Sequence, residues 1–267
     1  MSRDTEASGA TGPTNKATAR ILEILTQFRS RSKPSHRVIE LSRALGMTKQ
    51  MVIRALHTLG SDGYVVKNAE GSGYEPGYRI LELGGFDPTE PDLRQICSTY
   101  MQQIHALTRA TVLLAIPVGY HVIVIDGIDG REESGFQLKR HRRGYLIPLN
   151  VGPLCRPILA FLPDEEIRKF IQEAAPFSGA LARNLVDPNA EALWAHIRVI
   201  RERGYDIGGG EMIPGALGIG FPILNGGGYP LGAISISLER YTGERLSKLI
   251  PTLKQLMSEL NERTRAL

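Results

Sequence analysis

Two short helical segments broken at Gly46, a β-prone hairpin behind them, and a longer stretch in which β-branched runs alternate with amphipathic helices predict an α+β chain in two parts. A chain of 267 residues holds one large domain or two of ordinary size, since domains commonly run to roughly 100–200 residues. Its 42% hydrophobic content is enough for packed cores. The expected division is a tail over 1–15, a small helical domain over 16–76, a connector over 77–87 and a larger domain over 88–267.

The tail is rich in Ser, Thr, Gly and Ala and is expected to be disordered. It has no apolar centre, so it does not read as a signal peptide. From Ala17 to Phe28, Ile21, Leu25 and Phe28 share one helical face with Ile24 beside them. Ser35 is expected to cap a helix running to Leu45, in which Val38, Leu41 and Leu45 point inward. Gly46 makes the turn and Thr48 caps the next helix, because its hydroxyl accepts from the free amides of the first turn. In that helix Val52, Ala55, Leu56 and Leu59 face the core, and Lys49, Gln50, Ile53, Arg54 and His57 face away. Tyr64 to Lys67, a turn over Asn68 to Gly73, and Tyr74-Glu75 complete a hairpin.

Three helices and a hairpin in this order make a winged helix-turn-helix. The outward face of its third helix carries side chains able to bond phosphates and the acceptor-rich edges of bases in a major groove. A plain helical hairpin with a solvated polar face is the competing reading of the same residues. Charge favours the first. Residues 1–85 hold 12 Lys or Arg against 8 Asp or Glu, whereas residues 86–267 hold 20 of each. Between Lys16 and Lys67 the ratio sharpens to 10 against 3, the footprint of a surface that meets phosphates.

Tyr78 to Leu83 reads as a short connector helix ending at Gly84-Gly85, and Asp92 to Leu107 as an amphipathic helix opening the second domain. Thr111 to Pro117 and His121 to Ile128 read as a hairpin, and Phe136 to Leu138 as a further strand. Gly152 to Leu162, Asp164 to Ile171 and Pro188 to Arg203 read as helices. Gly218 to Leu224 and Gly232 to Leu238 read as strands about the Asn225 to Gly228 turn, and Glu244 to Leu260 as a closing helix. Hairpins covered by helices imply an antiparallel sheet.

Six ordered segments resemble the IclR family of bacterial transcriptional regulators from about Ala17 to Leu260: ARILEILTQF; ELSRALGMTKQMVIRALHTLGSDGYV; YRILELG; IPLNVGPLCRPILAFLPDEE; RERGYDIGGGE; and FPILNGGGYPLGAISISLER. The resemblance implies a winged helix, a connector helix and a GAF-like effector domain with a mixed or antiparallel sheet. It also implies dimers or tetramers on double-stranded promoter DNA. Two cysteines without a CxxC or a cluster with His argue against a metal site and are consistent with a reducing cytoplasm, no run of 18 apolar residues is present to span a membrane, and no cofactor is expected. Ser35, Arg37, Thr48, Lys49, Gln50, Met51, Ile53, Arg54 and His57 are the expected DNA-binding residues. Val151, Gly152, Gly208, Ala216, Gly218, Ser235 and Ser237 are the expected effector-binding residues.

The chain departs from the family where the pocket is expected. The family commonly has His-Ala-Thr-Ala-x-Gly-Lys-Ala at Asn150 to Pro157, often an acidic residue at Gly208, and Cys or Ser at Gly218. Losing those side chains enlarges a cavity, so the expected effector is larger than a small oxo acid, an aromatic or other organic carboxylate. A pocket that binds nothing, in a domain that only oligomerises, is the alternative. Arg156 is expected to be a surface residue, although a bidentate partner for a carboxylate is the other role open to it.

Enzyme readings are weaker. Gly208 to Gly210 and Gly226 to Gly228 lack the spacing of phosphate-binding loops. Cys97 and Cys155 form no CxxC, and Cys155 has no spacing with His141 or His196 that suggests a nucleophile and base. Asp126, Asp129, Glu132 and Glu133 read as a solvated loop, and Lys139 to Arg143 as a charged one.

Overall fold

The structure is a computed structural model describing residues 15–28, 35–84, 93–130, 144–174, 186–211, 217–237 and 243–267. It divides into two compact units, Met1–Pro88 and Thr89–Leu267.

In the first unit, α1 (Lys16–Gln27) starts at Asn15, whose side-chain oxygen accepts from the amides of Ala17 and Thr18. The segment expected to hold a Ser35 cap behaves differently. Helix α2 (Val38–Leu45) begins after Arg37, whose amide donates to the Glu40 carboxylate at 3.0 Å. Ser35 lies outside the helix, before it, and accepts from the Asn68 side chain at 3.2 Å, so its hydroxyl pins the wing. Gly46 ends α2 in the left-handed region at φ 62°, where an L side chain is disfavoured. Thr48 caps α3 (Lys49–Ser61) by accepting from the Met51 amide. Strands β1 (Val65–Lys67) and β2 (Tyr74–Pro76) pair antiparallel, and Asn68 closes their turn by accepting from Gly73. Ile24, Phe28, Leu41, Met47, Val52, Leu56, Leu59 and Val65 form one core, and α4 (Tyr78–Gly84) follows the hairpin.

The second unit is a six-stranded sheet between two layers of helices. After α5 (Leu93–Thr108) come β3 (Val112–Val118) and β4 (His121–Ile128), then the short β5 (Leu146–Pro148). Helices α6 (Gly152–Phe161), α7 (Asp164–Glu173) and α8 (Ala190–Arg203) precede β6 (Asp206–Gly209), β7 (Leu217–Leu224) and β8 (Pro230–Ser237), and α9 (Gly243–Arg263) closes the chain. The strand order is β5-β4-β3-β8-β7-β6 and every described pairing is antiparallel. The expected strand at Phe136 to Leu138, like the basic run at Lys139 to Arg143, lies outside the described residues.

Alternation along the strands sorts the two cores. Val112, Leu114, Ile219, Phe221, Ile223, Ile234 and Ile236 pack with α5 and α9. Leu113, Ala115, Val122, Val124, Ile147 and Ala233 pack with α6, α7 and α8. On that second face, towards β6, the side chains shrink: Gly208 pairs with Gly218, Gly218 with Ser237, and Gly220 with Ser235. Helix α6 uses that space, since a Cβ on Gly220 would fall 1.6 Å from the Pro153 carbonyl oxygen. Its first turn therefore rests directly on β7, and the small residues beside it leave an opening.

Candidate effector cavity and DNA-facing helix

The exposed face of α3 carries Lys49, Gln50, Ile53, Arg54 and His57, while Val52, Ala55, Leu56 and Leu59 are buried. Arg37 is exposed just before α2, and Ser35 is half-buried. Two of the expected contacts have local duties. Met51 is half-buried with its sulfur 3.9 Å from an Arg20 guanidinium nitrogen, and the Thr48 hydroxyl is taken by the α3 cap. Ile53 is 49% exposed, an apolar side chain amid polar ones on the face that an inserted helix turns towards base edges.

In the second unit Val151, Gly152, Gly208, Gly218, Ser235 and Ser237 line one cavity of about 100 Å³. Ala216 lies outside the described residues. Thr111, Leu113, Ile147, Pro153, Leu154, Gly209, Gly210, Glu211, Leu217 and Ile236 complete the wall, so it is mainly apolar with a few hydroxyls and one carboxylate. The first turn of α6 forms one side. Val151 holds its N-cap position without a capping side-chain hydrogen bond, which leaves the helix's positive end turned to the cavity region.

Behind the cavity lies a polar network that the sequence does not announce. Arg156 is a fully buried residue, not a surface one. Its Nε donates to Asp206 at 2.7 Å, and its Nη1 donates to both oxygens of Glu211 at 2.7 Å and to the Asn150 carbonyl at 3.3 Å. Burial works against the Arg156 charge, but Asp206 and Glu211 outweigh it and raise its pKa. Glu211 also accepts from the Val186 amide at 3.1 Å. His196 bridges the remaining carboxylates, with Nδ1 3.0 Å from Asp187 and Nε2 2.9 Å from Asp206. A ring facing a carboxylate at each nitrogen is satisfied when both nitrogens carry protons. Asp187 first and Asp206 second accordingly hold the His196 pKa up at about 9. Burial pushes Asp206 up, but the His196 hydrogen bond and the Arg156 charge prevail and hold its carboxyl below the usual range. Cys155, next to Arg156, is buried, and burial pushes its thiol up, so it is an unreactive core residue.

The network makes stability depend on pH. Unfolded, the His196 ring titrates near 6.5; folded, near 9. A raised folded pKa adds stability that is complete below the unfolded value and is lost as pH climbs through the folded one. Allowing for partial solvent screening, the second unit should lose roughly 1–2 kcal/mol between pH 6.5 and 9.5. Urea titrations across that range check this, and a His196→Gln variant should show a flatter profile.

Residues 89–262 match the family model described as the bacterial transcriptional regulator IclR C-terminal domain, and residues 17–69 match the IclR helix-turn-helix domain. The HTH-type transcriptional regulator KipR of Bacillus subtilis is 28% identical over 93% of this chain and 97% of its own. An IclR transcriptional regulator from Alicyclobacillus acidocaldarius superimposes with a TM-score of 0.75 at 19% identity, over 94% of this chain and 99% of that one. An IclR homologue from Microbacterium hydrocarbonoxydans, solved in complex with 4-hydroxybenzoate, does so with a TM-score of 0.73 at 18% identity, over 92% and 99%. Structural likeness at such identities establishes the fold.

Proposed function

The chain belongs to the IclR family of bacterial transcriptional regulators, and on that footing we propose that its DNA binding is controlled by a small organic acid held in the cavity beneath α6. As a member of the family it is a DNA-binding transcriptional regulator, and its matched relatives are regulators rather than enzymes. The observation that carries the effector reading is convergence. Six of the seven residues to which the family resemblance gives effector binding, scattered from Val151 to Ser237, line the same cavity.

The cavity suits an acid in which apolar bulk predominates. Its walls are largely aliphatic, and the hydroxyl-bearing Ser235 and Ser237 stand near the uncapped first turn of α6, where the helix dipole favours negative charge. The Microbacterium homologue carries an aromatic acid, which supports including that class. Binding would act by favouring one arrangement of paired winged helices over another, in a dimer or tetramer on a pseudo-palindromic operator.

On the DNA side, Gln50 and Arg54 would read bases, and Lys49 and Ser35, together with the exposed Arg37, would meet phosphates. Replacing Arg54 by Ala should weaken operator binding by about 1–3 kcal/mol and relax sequence preference. Replacing Lys49 by Ala should weaken binding to all sequences and reduce the salt slope by about 1. Fluorescence anisotropy on a duplex selected by the unaltered protein from random-sequence DNA, against a scrambled duplex, measures both. Unchanged affinity in the Arg54 variant removes the role given to α3. A thermal-shift screen with aliphatic and aromatic acids tests the cavity, since a ligand at about 100 times its Kd stabilises the folded state by roughly 2.7 kcal/mol.

A further inference from the structure

We infer that Arg156 reaches through the gap at Gly208 to donate to a neutral oxygen of the effector, a ketone, amide or hydroxyl, so that the effector carries such an acceptor besides its acid group. The inference rests on the effector reading above and names the part of the ligand that this wall selects.

The starting point is an unfinished set of hydrogen bonds. Arg156 is completely buried, its Nε and Nη1 are fully engaged, and its Nη2 has no partner among the described residues. A buried donor left unmade on a charged group is costly and calls for an acceptor. The direction of that nitrogen is fixed by Gly208. A Cβ built there would lie 2.5 Å from Nη2, and Gly208 lines the cavity. With Asp206 and Glu211 clamping the guanidinium from two sides, Nη2 takes up the place of the missing side chain at position 208, buried directly beside the wall that Gly208 and Glu211 give the cavity, a wall of which Arg156 itself is not part.

Charge decides the kind of acceptor. Around Nη2 the described network holds two cations, Arg156 and His196, against three carboxylates, Asp187, Asp206 and Glu211. The surroundings already carry an excess negative charge, and Glu211 itself lines the cavity. A ligand carboxylate at this position would meet that excess at close range in a poorly hydrated site. A neutral oxygen collects the hydrogen bond without the repulsion.

The test compares acids that differ only in the group offered to Nη2. One set is para-acetylbenzoate, para-isopropylbenzoate and terephthalate; the other is levulinate, isocaproate and succinate. In each, the acetyl member has a carboxylate isostere and an apolar one. Affinities are measured by calorimetry on the full chain and on Gly208→Ala, whose methyl group would stand 2.5 Å from Nη2 and push it aside. In at least one set the acetyl member should bind about tenfold more tightly than both isosteres, the scale of a hydrogen bond to a charged donor. In Gly208→Ala that advantage should vanish. If the apolar or dicarboxylate isostere binds as well as the acetyl member, the inference is overturned while the effector cavity stands. The same holds if the advantage survives in Gly208→Ala. If no member of either set binds, the organic-acid reading fails and this one with it. Should Gly208→Ala not fold, the ranking on the unaltered protein decides alone.

Discussion

Replacing Arg156 by Met should lower the unfolding free energy of the second unit by about 3–5 kcal/mol, the scale for removing one partner of a buried ion pair. Methionine fills much of the same volume, so the loss is electrostatic rather than a cavity cost. Asp206 keeps His196 as a partner, but Glu211 keeps only the Val186 amide. Most of the loss then comes from the stranded Glu211 carboxylate. The double variant Arg156→Met with Glu211→Gln should therefore recover about 1 kcal/mol or more, a coupling expected of residues in contact. Urea denaturation followed by far-UV circular dichroism reads both. A single variant costing under about 1 kcal/mol, or a double variant worse than the single, would mean that the network is not what ties α6 to β6.

The contrast between this network and the winged helix shows what a sequence exposes. In the first unit the determinants are local. Gly46 stands between two periodic segments, Thr48 caps its own helix, and the buried face of α3 is a run of residues three or four apart. The hairpins β3–β4 and β7–β8 are legible for the same reason, being neighbours in the chain. Ser35 misled because a cap and a wing contact use the same hydroxyl, and the choice is made by Asn68 far along the chain. Strands β5 and β6 have three and four residues, too few to show alternation. Their places at the sheet edges come from tertiary pairing.

Arg156 was hidden more deeply. Helix α6 buries Gly152 and every residue from Leu154 to Ala160, so no polar face distinguishes the arginine from an ordinary exposed one. Its partners stand 50 and 55 positions later. A usable signal was present in RERGYDIGGGE, where two acidic residues flank a glycine run: a strand with acids beside missing side chains suggests a cation arriving from elsewhere. Only the fold says which cation. The effector residues, in contrast, came through resemblance to the family, and their convergence on one cavity is a property of the sheet register.

Gly220→Ala should be about as damaging as the loss of Arg156, at about 3 kcal/mol or more, beyond ordinary overpacking because the clash is with backbone. The added Cβ would lie 1.6 Å from the Pro153 oxygen and 2.6 Å from its carbonyl carbon. Strand β7 cannot retreat, since Gly220 is paired with Asp206 on one side and Ser235 on the other. The first turn of α6 must therefore lift by more than roughly 1 Å to regain a normal contact, and Arg156 on the next turn is drawn away from Asp206 and Glu211. A control separates this from the general effect of replacing a glycine. At Gly227 a Cβ would meet only the Asn225 side chain, at 3.4 Å, so Gly227→Ala should stay within about 0.5 kcal/mol of the unaltered chain. The two thermal unfolding curves should differ by several degrees. If Gly220→Ala unfolds with Gly227→Ala, α6 is free to rise from the sheet. Gly208 and Gly218 would then set neither the depth of the cavity nor the aim of Arg156, because both depend on how closely this helix is held to β7.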